Sequence, residues 1–164
     1  MISIRSMQPD DWPRIRAIFQ SGIETGNSTF ETSPPTFDDW DKSHTRFGRL
    51  VATQDDVVVG WAALTPVSNR CVYAGVEEVS VYIDPAFSGK GIGQQLLGAL
   101  IEESEKNGTW TLQAGIFPEN KASVHIHEKQ GFRIVGYRER VGKQHGVWRD
   151  TLLLERRSNV VGAD

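Results

Sequence analysis

The chain has 164 residues, room for one domain, and its 18 Lys and Arg against 21 Asp and Glu leave a net charge of -3. That balance, with a pI near 5.8, disfavours a nucleic-acid binder, which usually carries a basic face, while apolar residues at 38% suit a packed core rather than a disordered chain. The longest apolar stretches, such as 96–101, fall far short of the roughly 20 residues that span a bilayer. Cys71 stands alone, so an intrachain disulfide and a cysteine-built zinc site are both excluded, and a reducing, cytoplasmic setting fits.

Ile2 and Ile4 alternate with polar residues and predict a first strand over 1–6. Pro9-Asp10-Asp11 then opens a helix, its acidic residues placed to complement the dipole, with Trp12, Ile15, Ile18 and Phe19 at helical spacing. Residues 22–35 are polar and turn-rich around a lone Phe30, and a second helix is expected from Thr36, a candidate N-cap, to about Arg49. Two strand-like runs, 50–52 and 57–64, flank Gln54-Asp55-Asp56 and read as a hairpin. A loop at 66–70 leads to a strand over 76–83, followed by a glycine cluster and an amphipathic helix to about Asn107, with Gly108 as its stop.

Strand 110–117, a short helix 121–130, strand 132–137 and strand 147–155 complete the order, and the polar tail at 157–164 is expected to fray. The pattern predicts one mixed α/β domain over 1–156: a twisted, mostly antiparallel sheet of six to seven strands flanked by about four helices.

The glycine cluster Ser88-Gly89-Lys90-Gly91-Ile92-Gly93-Gln94 lies between a strand and a helix. Glycine at alternate positions leaves backbone N–H groups bare at the positive end of a helix, a site suited to phosphate oxygens. No P-loop string occurs, and Gln94 stands where the dinucleotide fingerprint needs glycine. A glycine-rich turn without a ligand stays open on this segment alone.

The cluster resembles the acyl-CoA loop of the GCN5-related N-acetyltransferases, with Gly91 and Gly93 at the pattern's glycines and Ser88 in place of its usual Gln or Arg. The strand 79–83 before it, the helix after it, Asn120-Lys121-Ala122-Ser123 and Gly131-Phe132 are similar to the family's further signatures in the family's order. Segments 24–30, 78–82, 127–132 and 145–150 resemble the branch that acetylates phosphinothricin and methionine sulfoximine. That branch implies an acetyl-CoA co-substrate, the α-amine of a small amino acid or analogue as acceptor, and a homodimer; no metal is expected, because of the four histidines only His125 and His127 are close and their spacing on a helix points them apart.

The resemblance implies roles for particular residues. Acetyl transfer to an amine needs a deprotonated nucleophile, a polarised carbonyl and a proton for the thiolate. Glu78 takes the position of the base, and alternation turns its neighbour Glu77 to the opposite face. His127 stands where the family often has a tyrosine acid; a structural hydrogen bond is the plainer reading. The cofactor set is Val81, Tyr82 and Ile83, through backbone amides, with Ser88, Gly89, Lys90, Gly91, Ile92, Gly93, Gln94, Asn120 and Ser123. Asn120 also reads as a helix N-cap.

For the acceptor, Arg70 offers a planar fork to a carboxylate. Phe30, Ser68, Asn69, Tyr73, Val79, Ser80 and His145 join Glu78 around it. No cysteine is placed to carry the acyl group, so direct transfer is expected. Two rivals stay open: acetylation of a protein N-terminus or a polyamine, and acyl-CoA sensing without turnover.

Overall fold

Every expected strand and helix is present in the structure, a computed structural model that describes residues 1–164. In chain order these are β1 (Ile2–Ser6), α1 (Trp12–Glu24), α2 (Phe37–Ser43), β2 (Leu50–Gln54), β3 (Val57–Pro66), β4 (Val76–Ile83), α3 (Ile92–Lys106), β5 (Thr111–Ile116), α4 (Lys121–Lys129), β6 (Arg133–Gln144) and β7 (Val147–Arg157). One seven-stranded sheet runs β1-β2-β3-β4-β5-β7-β6, antiparallel throughout except for the β4–β5 pair.

Alternation along the strands divides the apolar residues between two cores. On one face Leu50, Ala52, Val59, Leu64 and Val79 pack against Leu96, Leu97 and Leu100 of α3. On the other, Val51, Val58, Trp61 and Ala63 meet Ile15, Ile18 and Phe19 of α1 and Trp40 of α2. Each fully buried leucine or isoleucine contributes about 1.5–3 kcal/mol, so the two helical faces hold the central strands from both sides. Asp11 fixes the approach of α1: its carboxylate accepts the Gln8 N–H at 2.7 Å and both guanidinium nitrogens of Arg5 at 2.8 and 2.9 Å.

Boundaries differ from expectation in three places. The second helix ends at Ser43 rather than near Arg49. His44 turns extended, the Thr45 N–H bonds the Leu64 carbonyl, and Gly48 takes a positive φ of 66° to enter β2. Strand β6 continues to Gln144, seven residues past Tyr137, because it pairs along β7 to the hairpin turn. The tail is held rather than frayed: Ser158 is buried and donates its N–H to the Trp110 carbonyl, and Arg157 reaches the carbonyls of Val161 and Gly162.

The feature that creates a site is a fork. β4 and β5 pair only at Val76, Glu77 and Glu78, opposite Thr111, Leu112 and Gln113, and then diverge. At the closed end the Gly75 carbonyl accepts the N–H groups of both Trp110 and Thr111.

Candidate active site

Divergence leaves backbone groups without partners. The Asp84 N–H bonds the Val59 carbonyl, so alternation along an antiparallel pair turns Val81 and Ile83 to the opposite edge, past the last rung that β5 reaches. Unpaired amides in a cleft need a polar partner, so this edge can take an amide-bearing or carbonyl-bearing ligand chain.

The cleft is a cavity of about 480 Å³. β4 supplies Glu78, Val79, Ser80, Val81 and Tyr82; β5 and its end supply Ala114, Gly115, Ile116 and Phe117; α4 adds Asn120, Ser123 and His127. The loop after α1 contributes Asn27 through Glu31, and the β6–β7 hairpin contributes Arg138, Val141, Gly142 and Thr151. Of the expected site residues, Glu78, Val79, Ser80, Val81, Tyr82, Asn120, Ser123, His127 and Phe30 therefore meet in one place.

Glu78 sits at the last paired rung of the fork, where Gln113 Nε2 donates to its Oε1 at 2.9 Å. That bond orients the carboxyl. Glu77 faces the other way, as alternation requires. It is 4% exposed, accepts from Thr109 Oγ1 at 2.9 Å through Oε1, and leaves Oε2 without a partner. Burial pushes its carboxyl above the usual range, with the Thr109 bond opposing.

His127 is buried, its Nδ1 2.7 Å from the Ser123 carbonyl and its ring edge-on to Phe132. A carbonyl can only accept, so Nδ1 carries the proton and Nε2 is the nitrogen left for chemistry. Burial holds its pKa below the ordinary histidine value, and the carbonyl partially offsets this. Tyr82 is excluded from proton transfer at neutral pH. Its ring packs against both Phe19 and Trp61, at 5.0 and 4.9 Å, and burial pushes the phenol up to about 12.

Asn120 caps α4, its Oδ1 accepting the Ser123 N–H while Nδ2 donates to the Asn27 carbonyl. The capping reading is thus realised within the cavity wall. At the glycine cluster, Gly89 and Gly91 both take left-handed φ values of 76° and 77°, and Gly91 is the N-cap of α3. The N–H groups of Ile92, Gly93 and Gln94 have no carbonyl one turn earlier to bond, so they stand free at the helix terminus. The Ile92 side chain is core, the Ser88 hydroxyl donates to the Pro85 carbonyl, and the Lys90 ammonium lies 5.2 Å from the Phe87 ring centre. Ile83 packs beside Gly93 and joins the cluster to the fork.

Four expected acceptor residues lie elsewhere. Ser68, Asn69, Arg70 and Tyr73 form the loop between β3 and β4, outside the cavity wall, with the Arg70 guanidinium 5.5 Å from the exposed Tyr73 ring. His145 occupies the tip of the β6–β7 turn at φ 50° and is likewise outside the wall.

The hairpin itself does matter. Arg149 donates to the Gly26 carbonyl, Asn27 Oδ1 and Gln144 Oε1, each within 2.8 Å, and Gln144 Nε2 donates to the Thr29 carbonyl at 2.7 Å. Segments 24–30 and 145–150 are therefore one physical unit, a loop bolted to a hairpin. Arg138, Val141, Gly142 and Thr151 were absent from the sequence expectation because a bulge in β6, invisible to alternation, puts Val141 and Gly142 side by side on the wall.

The family model described as the acetyltransferase (GNAT) family matches residues 5–132. A phosphinothricin N-acetyltransferase of Alcaligenes faecalis is 35% identical over 167 residues, covering 96% of this chain and 83% of that protein. An L-methionine sulfoximine/L-methionine sulfone acetyltransferase of Pseudomonas aeruginosa is 30% identical, covering 93% and 92%. Among solved structures, a phosphinothricin acetyltransferase from Sinorhizobium meliloti in complex with acetyl-CoA superposes with a TM-score of 0.89 at 27% identity, over 99% of this chain and 91% of that one.

Proposed function

The chain belongs to the acetyltransferase (GNAT) family, and from that premise we propose that it moves the acetyl group of acetyl-CoA to the α-amine of a small L-amino acid or analogue. The methionine sulfoximine, methionine sulfone and phosphinothricin types are the acceptors that the relatives' names favour. The observation that carries this reading is the fork, where unpaired β4 amides and the oriented Glu78 carboxyl share one cavity.

The residues present fit acetyl-CoA. Left-handed Gly89 and Gly91 and the free amides of Ile92, Gly93 and Gln94 suit its phosphates. The Val81 and Ile83 edge suits its amide-bearing arm, with Ser88, Lys90, Asn120 and Ser123 alongside. When bound, acetyl-CoA supplies an activated acetyl thioester.

Glu78 takes the proton of the acceptor's ammonium, directly or through water, so that the amine has a free lone pair. An unpaired β4 amide would stabilise the charge that develops on the carbonyl oxygen. As the amine's lone pair forms the N–C bond and the C–S bond breaks, the nitrogen sheds its second proton to water and His127 gives the departing sulfur a proton from Nε2, because Nδ1–H is held by Ser123. Its lowered pKa makes the imidazolium scarce at neutral pH but ready to release its proton. Transfer is direct: Cys71, the one cysteine, lies exposed on the β3–β4 loop outside the cavity. The homodimer and the cytoplasmic setting belong to the same reading. Ile134, Tyr137, Val147 and Trp148, left exposed on the β6–β7 hairpin, support the first, and the free thiol supports the second.

The test is CoA thiol release from acetyl-CoA with methionine sulfoximine, methionine sulfone, phosphinothricin, common amino acids, a polyamine and a short peptide. Turnover is expected with the amino-acid group, and Glu78→Gln should lower kcat by about 10²–10⁴-fold. Turnover with peptide or polyamine alone would overturn the acceptor, and tight CoA binding without any turnover would overturn the enzyme.

A further inference from the structure

We propose that Arg149 is a positioning residue for the acceptor: it sits behind the cavity wall and fixes where Phe30 stands in it. The inference rests on the amino-acid reading above and adds to it a residue that touches neither substrate.

The segment that carries Phe30 has no framework of its own. Residues 27–31 make no backbone-to-backbone hydrogen bond, so side chains from other elements must set their path. Arg149 lies on β7 just past the hairpin turn. Its Nη1 donates to the Gly26 carbonyl and its Nη2 to Asn27 Oδ1, each at 2.8 Å. Nη1 also donates to Gln144 Oε1 at 2.7 Å, which turns the other end of that amide, Nε2, to the Thr29 carbonyl at 2.7 Å. Gln144 is buried, so these two bonds fix its orientation. One guanidinium thus holds the loop on both sides of Ser28. Asn120 Nδ2 adds a longer tie from α4 to the Asn27 carbonyl, at 3.2 Å.

The same guanidinium supports the ring against which Phe30 rests. Its carbon lies 4.1 Å from the centre of the Phe117 ring, which meets Phe30 edge-on at 4.8 Å. Phe30 also abuts Gly142, where a Cβ would come within 2.7 Å of the ring. Backbone support and ring support therefore converge on one side chain of the wall.

Arg149 itself is not part of that wall, and its side chain is only 16% exposed. Its ion pair with Glu119 is loose, 3.5 Å to a carboxylate 57% exposed, and a pair of that kind contributes little. The short bonds to neutral acceptors are charge-assisted and about twice as strong as neutral ones. Holding the loop is therefore what this charge does. The phosphate site is built on other elements, the glycine cluster and α3, to which Arg149 makes no bond.

The test is steady-state kinetics with L-methionine sulfone and acetyl-CoA for the wild type, Arg149→Met, Arg149→Lys, Phe30→Ala and the double variant Phe30→Ala/Arg149→Met. Methionine keeps an apolar contact with Phe117 and loses every hydrogen bond. Moving a positioning group by about 1 Å can lower a rate up to about a hundredfold. In Arg149→Met, kcat/KM for the acceptor should fall about tenfold to a hundredfold. KM for acetyl-CoA should not change, which also shows that the variant is folded. Lysine keeps the charge but lacks the planar fork, so it should recover only part of the loss. Because Arg149 acts through Phe30, the same substitution made on Phe30→Ala should lower kcat/KM by less than about threefold. Unchanged acceptor kinetics in Arg149→Met, a loss of equal size with and without Phe30, an acetyl-CoA KM that rises in step, or full recovery with lysine overturns the assignment. Wild-type silence toward L-methionine sulfone counts instead against the amino-acid reading itself.

Discussion

Gly142→Ala tests whether the hairpin shapes the acceptor end of the cavity independently of the cofactor end. A Cβ at position 142 would lie 2.7 Å from Phe30 Cζ, 2.8 Å from Cε1 and 3.3 Å from Cε2. Carbon atoms settle about 3.5–4.0 Å apart, so the ring must retreat by about 1 Å. It has somewhere to go, being 38% exposed, with Phe117 edge-on to it at 4.8 Å. Gly142 has no positive φ, so the backbone adds no strain. The folding cost should stay near the low end of the ~1–3 kcal/mol typical of overpacking, or about 2–4 °C in Tm for a chain of this size.

Function should lose more, because moving a positioning group by about 1 Å can cost up to about a hundredfold. We expect kcat/KM for the acceptor to fall about tenfold to a hundredfold, with KM for acetyl-CoA unchanged. Steady-state kinetics with each substrate varied in turn, beside a thermal melt, read all three quantities. Unchanged acceptor kinetics, or an acetyl-CoA KM that rises in step, would refute the reasoning.

Two predictions concern protons. If His127 gives up a proton from Nε2, its contribution requires the imidazolium, and its folded pKa lies below the ordinary value. The ratio of wild-type to His127→Gln kcat should then be largest at pH 6 and shrink as the pH rises to 8; a ratio constant with pH would argue for a purely structural ring. Glu77 has its carboxyl pKa raised by burial, so the folded state holds its proton longer than the unfolded state does. Stability therefore falls as pH rises from the unfolded value, about 4.3, through the higher folded one. Wild-type Tm should drop relative to Glu77→Gln between pH 4 and pH 8, and an offset independent of pH would remove Glu77 from the account.

Element types and order were legible because each long apolar pattern had one reading: Ile15, Ile18 and Phe19 at helical spacing, and Val79, Val81 and Ile83 at alternate positions. The opposed faces of Glu77 and Glu78 followed from the same rule. What escaped is whatever depends on two segments at once. Nothing in 76–83 or 111–116 says that pairing stops after three rungs. Likewise, Glu139, Arg140 and Val141 look like ordinary strand residues until β7 offers them a single partner. Arg70 drew attention because its planar fork suits a carboxylate, and the fold sets its guanidinium 5.5 Å from the exposed Tyr73 ring, outside the cavity wall. Arg138 gave no signal beyond its charge, since its place on the wall follows from its pairing with Thr151.

The fork also bears on how the domain holds together. Residues before Ile83 and residues after Thr109 build separate portions of the sheet, joined at the seam by three rungs and by Trp110 lying on Gly75, where a Cβ would come within 2.1 Å of the indole. Beyond the third rung the ladder simply lacks its next strand. A ligand chain that paired with β4 there would stand where that strand is missing and become, while bound, part of the architecture. The domain is in this sense two portions of one sheet whose splice is short by design and open to completion from outside.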